Sequence, residues 1–433
     1  MRYNISSTKA PEMPNLGKGT ECIKLLLTQA SKDMHEPLVP MLFPSLGAHI
    51  SGAEFQYPDR SWKETCGMMA QLVGNSGDNK GQLTPLVKAI CRDFSLHDEA
   101  EYKKLEEWTK LYQAKKNAKD TPVCPTIAIW FPPIDTTKPA LLKNAIALEK
   151  LGERTQYFNL PEVEMADQLC GSHKGVSKIF RNIFDKERTG ALRATAEGVT
   201  GNPTMRANIT MSGVPVTVRP FYKRELFNGT FGRIVFSYKS RGGRKGKIPR
   251  VGEFSDEFYQ KLDEFMARLD LCKGRYIIRP LNKLIDHLAE DMATLGDLTD
   301  DDDLWDISKR ALINAWKAGC VMWALNNQTW TKAMGELVEW LVYHDLWSKM
   351  QLFADMFSQV PDQVSEAQRR GPKNMLDSLP DTFNEAQLEA LRAELGKGSD
   401  GTKGQLNQWV FRKFITYSNQ TGLYTKTEEY LNG

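Results

Sequence analysis

The residues at positions 74 to 82 combine small side chains with one lysine, and we call this segment the phosphate loop. It consists of Gly74, Asn75, Ser76, Gly77, Asp78, Asn79, Lys80, Gly81 and Gln82. Small residues allow successive backbone N–H groups to surround a phosphate, and one lysine reaches the terminal phosphates from the start of the helix that follows. Gly74 and Lys80 stand at the first glycine and the lysine of the pattern G-x-x-x-x-G-K-[ST]. The segment therefore predicts a binding site for ATP.

Two positions of the phosphate loop depart from that pattern. Asn79 replaces the second glycine, and Gly81 replaces the hydroxyl residue that usually holds Mg²⁺. Asparagine tolerates a positive φ better than most residues, so the turn is retained. The alternative interpretation is a polar turn in front of a helix, without a nucleotide site.

A pair of glutamates follows a strand predicted at Gln156 to Leu160. Glu162 and Glu164 come just after Pro161, where the strand stops. An ATPase needs carboxylates at such a place, one to hold Mg²⁺ and one to polarise the attacking water. If the chain stays extended there, the two side chains project from the same side. We predict that both are catalytic and that Glu162 is the Mg²⁺ ligand. The alternative is an ordinary strand exit with two solvated glutamates.

Basic residues accompany a predicted hairpin at Gly190 to Arg206. This segment is rich in small residues, and Gly201-Asn202-Pro203 is typical of a hairpin tip. Four basic side chains are predicted to contact DNA: Lys186, Arg188, Arg193 and Arg206. Further along, Arg233 stands at the start of a strand predicted at Ile234 to Tyr238. In ring-shaped ATPases such an arginine stabilises the γ-phosphate bound by a neighbouring subunit.

Charge is distributed unevenly in a chain whose net charge is only +3. Between residues 171 and 250 there are 17 Lys and Arg against 4 Asp and Glu, whereas Asp300 to Asp303 is an unbroken acidic run. A basic block predicts a face that binds a polyanion. The alternative is a solvated surface.

Composition limits the class of protein. The chain has 433 residues, 41% of them hydrophobic and 26% charged, which is typical of a globular protein with two or three domains. No apolar run reaches the roughly 18 residues of a membrane helix, so no membrane partner is expected. The 7 cysteines contain no C-x-x-C pair, which predicts reduced thiols and a cytoplasmic location. The 6 histidines show no paired ligand spacing, which argues against a catalytic metal cage.

Strand and helix patterns alternate along the chain, which predicts a parallel α/β sheet with crossover helices. Further strands are predicted at Thr126 to Phe131 and at Met205 to Val218, the latter as a strand, a bend and a second short strand. Pro40 and Pro44 are expected to break the apolar segment Leu38 to Ile50. Six tryptophans at helical spacing between residues 304 and 357 predict a core of packed helices. Near the C-terminus, two helices are predicted at Asn384 to Leu395 and Gln405 to Tyr417.

The order of these segments resembles the P-loop domain of primase/helicase-like proteins of mobile genetic elements, the DUF3987 family. The resemblance covers about residues 35 to 350, and three stretches carry it: the loop that ends in Lys80-Gly81, the Glu162-Val163-Glu164 pair, and Ser212 to Pro215 followed by Asn228 to Ile234. By this resemblance Ser212 is similar to a sensor residue and Arg233 to an arginine finger that acts on a neighbour. The hairpin from Arg193 to Arg206 is similar to the pore hairpin of ring helicases.

The predicted fold class is α/β, with a P-loop NTPase core of the AAA+ or RecA-like type, a helical domain and a C-terminal winged-helix-like module. The predicted boundaries are an N-terminal arm and helices at 1–60, the NTPase core at 61–250, the helical domain at 251–358, a linker at 359–382 and the winged-helix-like module at 383–433.

Two functions from different classes follow. The first is an ATP-dependent, ring-forming DNA helicase or translocase that acts on single-stranded DNA in replication of a mobile element, with ATP and Mg²⁺ as cofactors. Its partners are copies of itself in a homo-oligomeric ring, a hexamer by resemblance, and a primase is a further candidate partner. The second is a DNA-binding replication initiator or clamp with a degenerate nucleotide site and no motor activity.

Overall fold

The computed structural model of the chain describes residues 3, 5, 7–114, 122–152, 154–191, 199–223, 225–226, 229–240, 254–299, 302–357, 375–395 and 398–431. The strands are β1 (Ala53–Gln56), β2 (Trp62–Lys63), β3 (Met69–Val73), β4 (Gln156–Leu160), β5 (Ala207–Gly213), β6 (Ile234–Tyr238), β7 (Gly274–Tyr276), β8 (Thr382–Phe383), β9 (Ile415–Ser418) and β10 (Leu423–Lys426).

The helices are α1 (Glu21–Leu27), α2 (His35–Ala48), α3 (Leu83–Ile90), α4 (Arg92–Ala114), α5 (Lys138–Leu151), α6 (Met165–Cys170), α7 (His173–Asp185), α8 (Pro215–Tyr222), α9 (Asp256–Leu271), α10 (Arg279–Thr299), α11 (Asp302–Leu325), α12 (Lys332–Phe357), α13 (Glu385–Glu394), α14 (Thr402–Phe411) and α15 (Glu428–Leu431). Within the described ranges, none of them combines the length and the apolar content needed to cross a bilayer.

A four-stranded parallel sheet with the order β4-β5-β3-β6 lies at the centre of the fold. The predicted mixed α/β class with a parallel sheet is therefore confirmed, and β4 and β6 have the predicted bounds. Because the strands are parallel, their carboxyl ends meet at one edge of the sheet, which is where such folds bind ligands. The phosphate loop leaves β3 at this edge and the two glutamates follow β4 there, with β5 between them.

Helix α2 crosses one face of the sheet and contacts β3, β5 and β6. It continues through Pro40 and Pro44, so the predicted break is wrong. Each internal proline removes one helical hydrogen bond. However, 12 of the 14 residues of α2 are buried, and this tertiary packing stabilises a helix that the prolines weaken.

Helices α9 to α12 pack into the same apolar core as α2 and the central sheet. Leu38, Leu72 and Trp340 all belong to one continuous buried cluster, so the predicted boundaries at residues 60 and 250 do not separate cores. The predicted packing of tryptophans is confirmed, since Trp316, Trp340 and Trp347 are fully buried. The indole N–H groups of Trp340 and Trp347 donate to carbonyl oxygens of the N-terminal arm, at Pro11 and Ser7.

The segment Thr126 to Phe131 was predicted as a strand but lies beside β4 without forming one. Its one backbone bond to β4 is donated by the Tyr157 N–H to the Trp130 carbonyl oxygen at 2.8 Å. The Asp98 carboxylate accepts from the N–H groups of Trp130 and Phe131. Side chains thus satisfy backbone groups that a strand ladder would otherwise pair.

After Gly213 the chain forms α8 instead of the predicted second short strand. Pro215 is the first residue of this helix, where its missing N–H leaves no helical bond unmade and its fixed φ suits the helix. The Gly-Val-Pro sequence therefore starts a helix at the carboxyl end of β5.

Residues 375–395 and 398–431 form a small C-terminal module with the sheet order β8-β10-β9 and the helices α13 and α14. Met375, Leu376 and Leu379 belong to its core, so the predicted linker does not extend to residue 382; residues 358–374 lie outside the described residues. Helix α14 ends at Phe411, earlier than predicted, because the chain turns into β9, with Lys413 at φ 59°.

Candidate functional site

The phosphate loop makes a tight turn between β3 and α3. The N–H of Asp78 donates to the Asn75 carbonyl oxygen at 3.2 Å. Gly77 has φ 85° and Asn79 has φ 59°, which glycine and asparagine tolerate. Within the described part of the chain, the N–H groups of Ser76, Gly77 and Asn79 have no hydrogen-bond acceptor. These donors are available to an anion.

Lys80 folds back over the start of this loop. Its ammonium Nζ donates to the carbonyl oxygens of Gly74 and Asn75, each at 2.8 Å. Burial lowers the pKa of Lys80, while the negative charges of Asp78 and Glu162 act in the opposite direction. The structure therefore brings the predicted lysine and Glu162 into one electrostatic environment, although they are distant in sequence.

The remaining residues of the phosphate loop divide into two groups. Gly81 is exposed and continues the loop, in a short 3-10 turn, towards α3. Gln82 is buried, and its side-chain amide exchanges two hydrogen bonds with Ser31, at 2.8 and 2.9 Å. The side chain of Gln82 therefore ties the loop to the N-terminal region and is committed to that contact.

The acidic pair lies on a turn and not on an extended chain. The N–H of Met165 donates to the Glu162 carbonyl oxygen, and the N–H of Asp167 donates to that of Glu164. Glu164 has helical backbone angles, φ −63° and ψ −22°. The chain is therefore not extended at Glu162 and Glu164, so the same-side projection expected of an extended chain does not apply to them. Both glutamates are exposed, but of the two only Glu162 is among the charges that act on Lys80.

Ser212 connects the acidic turn to the strand beside the phosphate loop. It pairs with Leu72 in the register of β5 and β3. Its hydroxyl donates to the Pro161 carbonyl oxygen at 2.5 Å, immediately before Glu162. Gly213 follows, and its carbonyl oxygen accepts from the Gly74 N–H at 3.3 Å. Ser212 therefore occupies the central position between the loop and the acidic turn.

Lys239 is a buried cation at this edge that none of the sequence motifs indicates. Its N–H donates to the Val73 carbonyl oxygen at 2.8 Å, and its Cβ lies 3.5 Å from where a Cβ on Gly74 would stand. The ammonium bonds to the carboxylate of Asp33 at 3.0 Å. Lys239 directly follows β6 in the sequence. Because the carboxyl ends of neighbouring parallel strands lie together, this position indicates that Lys239 lies near the phosphate loop.

Arg233 lies at the opposite, amino edge of the sheet. Ile234 pairs with Met69 at the start of β3, so the length of β3, about 16 Å at ~3.3 Å per residue, separates Arg233 from the phosphate loop of its own chain. Its guanidinium bonds to the Asp185 carboxylate at 2.6 Å and to the Gly229 carbonyl oxygen at 2.6 Å. The side chain is 11% exposed.

The predicted hairpin is present at the same amino edge. The N–H of Thr189 donates to Pro203 and the N–H of Ala191 to Gly201, at 3.0 and 2.9 Å. Gly201-Asn202-Pro203 therefore lies in the returning arm, so its prediction as the tip is wrong. Residues 192–198, between the two arms, lie outside the described residues.

The four predicted DNA contacts have different environments. Lys186 and Arg206 both pair with the carboxylate of Glu64, Arg206 at 3.0 Å. Arg188 is 62% exposed; its guanidinium donates to the Asn202 carbonyl oxygen and lies 3.9 Å from Glu149. Arg193 lies outside the described residues, as do five further basic residues of the 171–250 block at 241–250. Of the three described side chains, Arg188 is the most exposed.

A second cluster of charged groups lies near the amino end of β4. The Nδ1 atom of buried His49 is 3.6 Å from Asp93 and 3.9 Å from Asp270. Burial lowers the pKa of His49 to about 3, helped by the charge of Arg154, and burial raises the pKa of Asp93 to about 6, helped by Asp270. Their ligand atoms lie within 4.8 Å of one another, but the Arg154 guanidinium bonds to Asp270 at 2.7 Å. Arg154 also lies 4.0 Å from Asp93, so a cation of the chain already pairs with both carboxylates, and we interpret the cluster as an ion-pair network.

A cavity of about 680 Å³ opens beside that network, and its lining includes Lys104, Arg154 and Arg206. Each of these cations is paired within the chain: Lys104 with Glu101, Arg154 with Asp270 and Arg206 with Glu64. The cations of the cavity are therefore committed to ion pairs, whereas the phosphate loop presents N–H groups that have no acceptor within the described residues.

Comparison of the chain with models of known protein families finds no match, and comparison with curated proteins finds none either. The resemblance to the P-loop domain of primase/helicase-like proteins stays a prediction.

Proposed function

We propose that this chain is an ATP-driven motor that acts on single-stranded DNA, as a ring-forming helicase or translocase. One observation carries the proposal. Lys80, Glu162 and Ser212 come from three separate segments, and they meet at the carboxyl edge of one parallel sheet. Such convergence at this edge is expected of a ligand site and not of an isolated polar turn.

The chain's own groups fit a triphosphate. Ser76, Gly77 and Asn79 present unbonded N–H groups, and Lys80 supplies a cation beside them. Bound Mg²⁺ would neutralise charge on the terminal phosphates, and Glu162 is the residue proposed to hold it, because Gly81 carries no hydroxyl. Strand β5 lies between β3, which leads into the phosphate loop with Lys80, and β4, which leads to Glu162. The ends of β3 and β4 are therefore about two strand spacings apart, or ~10 Å. A gap of this size would have room for terminal phosphates, a metal ion and a water molecule.

The position of Arg233 favours an assembly. Arg233 is too far from the phosphate loop of its own chain to act there, so an arginine-finger role requires a neighbouring subunit. In that role it would exchange the Asp185 carboxylate for the phosphate charge of the adjacent site. The hairpin extends from the same edge and is directly continuous with β5, which carries Ser212. Movement of Ser212 on hydrolysis is thereby proposed to reach the DNA-binding hairpin.

The C-terminal module supports a contact with nucleic acid. Two helices followed by a hairpin, with the first strand paired to the last, give the arrangement of a winged helix. This is the finer assignment that we propose for the module on the basis of its strand order.

A second candidate function is a DNA-binding replication initiator or clamp whose nucleotide site is degenerate. Two observations favour it: the Asp78 carboxylate lies within the phosphate loop, and Gly81 lacks a hydroxyl. This candidate predicts salt-sensitive DNA binding without turnover of ATP.

The test is ATP hydrolysis by the full chain, with and without single-stranded DNA, for the wild type, Lys80→Ala and Lys88→Ala. Lys88 is an exposed lysine on α3 and controls for loss of a positive charge. We expect DNA-stimulated turnover in the wild type and in Lys88→Ala, and none in Lys80→Ala. Undiminished turnover in Lys80→Ala rejects this site, whereas DNA binding with no turnover in any variant favours the initiator or clamp.

A further inference from the structure

The carboxylate of Asp78 folds back onto the first residues of the phosphate loop. Its Oδ2 atom accepts a hydrogen bond from the Asn75 N–H at 2.6 Å. The same oxygen lies 3.3 Å from the place where a Cβ on Gly74 would stand. One N–H group of the loop, that of Asn75, is therefore already bonded to an anion that belongs to the chain itself.

The charge of this carboxylate also acts on the lysine of the loop. Asp78 and Glu162 both favour the charged form of Lys80. Lys80 lies over Gly74 and Asn75, the residues against which the Asp78 carboxylate is packed. The negative charge of Asp78 therefore already stabilises the Lys80 ammonium, as the charge of a bound phosphate would.

We propose that Asp78 is a built-in competitor for the polyphosphate ligand, and that the Asn75 N–H becomes a further donor to the ligand when the carboxylate leaves it. This inference rests on the proposed nucleotide site and adds a regulatory contact to it. A phosphate that enters the loop brings negative charge close to the carboxylate, and at a few ångströms such repulsion is substantial even when it is screened. Ligands that engage several N–H groups at once, such as a triphosphate or pyrophosphate, overcome it better than a single phosphate does.

The physical consequence is that removing the charge of Asp78 strengthens binding. Asp78→Asn keeps an oxygen that accepts from Asn75 and removes only the charge, so the turn is retained. Asp78→Ala removes both. Asp59→Asn is the matched control, because Asp59 lies in the turn between β1 and β2 and pairs there with Ser61.

The experiment is calorimetric titration of each full-length protein with pyrophosphate and with ATP, in the presence and absence of Mg²⁺, with thermal unfolding as a check on folding. We expect Asp78→Asn to bind pyrophosphate about tenfold more tightly than the wild type, with and without Mg²⁺. Asp59→Asn should bind as the wild type does. Tighter binding by Asp78→Ala would support the same conclusion from a second variant.

Three results would overturn the proposal. Equal affinities of wild type and Asp78→Asn would show that the carboxylate does not compete, while leaving the nucleotide site intact. Weaker binding by Asp78→Asn only when Mg²⁺ is present would instead make Asp78 a metal ligand that replaces the hydroxyl missing at Gly81. Absence of pyrophosphate and ATP binding in every variant would reject the nucleotide site together with its competitor.

Discussion

Ser212 donates a hydrogen bond from its hydroxyl to the Pro161 carbonyl oxygen at 2.5 Å, and so joins the end of β5 to the turn that carries Glu162. In the same strand, the carbonyl oxygen of Gly213 accepts a hydrogen bond from the Gly74 N–H. One residue thus touches the acidic turn, and its neighbour touches the phosphate loop. This arrangement makes Ser212 a positioning residue between the two halves of the site.

Replacement of Ser212 should reduce turnover more than it reduces nucleotide affinity. Ser212→Ala removes one hydrogen bond, worth about 1 kcal/mol, so we expect kcat to fall roughly fivefold with little change in KM. Ser212→Thr retains the hydroxyl and should restore most of the rate. Equal rates for the alanine and threonine variants would show that the bond to Pro161 has no role in positioning Glu162.

The two glutamates should differ in their importance. Glu162 is close enough to act on Lys80, whereas Glu164 is not among the charges that do. We expect Glu162→Gln to lower ATP turnover to background while the protein still binds ATP, and Glu164→Gln to stay within about threefold of the wild type. Steady-state hydrolysis and nucleotide titration measure the two effects. The reverse order of the two variants would reassign the catalytic carboxylate.

Arg233 should act on the site of another subunit. Arg233→Ala is expected to lower turnover about 10³-fold if the guanidinium is an arginine finger. Mixing inactive Arg233→Ala with inactive Lys80→Ala should then restore part of the activity. In a mixed ring, some interfaces between subunits combine the intact Lys80 of one subunit with the intact Arg233 of its neighbour. Arg181→Ala, which removes an exposed arginine of α7, is the control and should be active alone.

Failure of the mixed sample to regain activity, with subunit exchange verified by size measurement, would contradict this prediction. Arg233 would then be assigned to the Asp185 ion pair alone, in which its side chain is 11% exposed. In that case Arg233→Ala would lower the thermal stability without a specific effect on turnover.

Acid should destabilise the fold through His344. Burial lowers the pKa of His344 to about 3, while the unfolded chain has a histidine pKa of about 6.5. Between these values the unfolded state binds a proton that the folded state does not. The free energy of unfolding therefore falls as the pH falls from about 6.5, by up to ~1.4 kcal/mol per pH unit from this residue.

Urea unfolding of the wild type and His344→Gln at pH 7, 6 and 5 measures this effect. The variant should show a shallower dependence on pH, although His49, whose pKa is also lowered to about 3, keeps part of the slope. His287→Gln is the control, because His287 is 68% exposed, and it should retain the slope of the wild type. The same slope in the wild type and His344→Gln would contradict the prediction.

Local pattern was sufficient for two strands of the central sheet. The strands predicted at Gln156–Leu160 and Ile234–Tyr238 have the predicted bounds, since each contains aromatic residues typical of strands; the similar run Thr126 to Phe131 forms none, because side chains satisfy its backbone groups. The positive φ of Asn79 was also expected from its residue type. These features depend on neighbours in sequence.

Tertiary structure decided the features that depend on contacts between distant residues. Helix α2 passes through Pro40 and Pro44 because it is buried against the sheet, which a local rule for proline does not include. Lys186 and Arg206, two side chains predicted to contact DNA, instead form ion pairs with Glu64, which is distant in sequence. The placement of Lys239 and Ser212 beside the phosphate loop follows from strand order. Strand order is set by burial of the whole sheet, and no single segment encodes it.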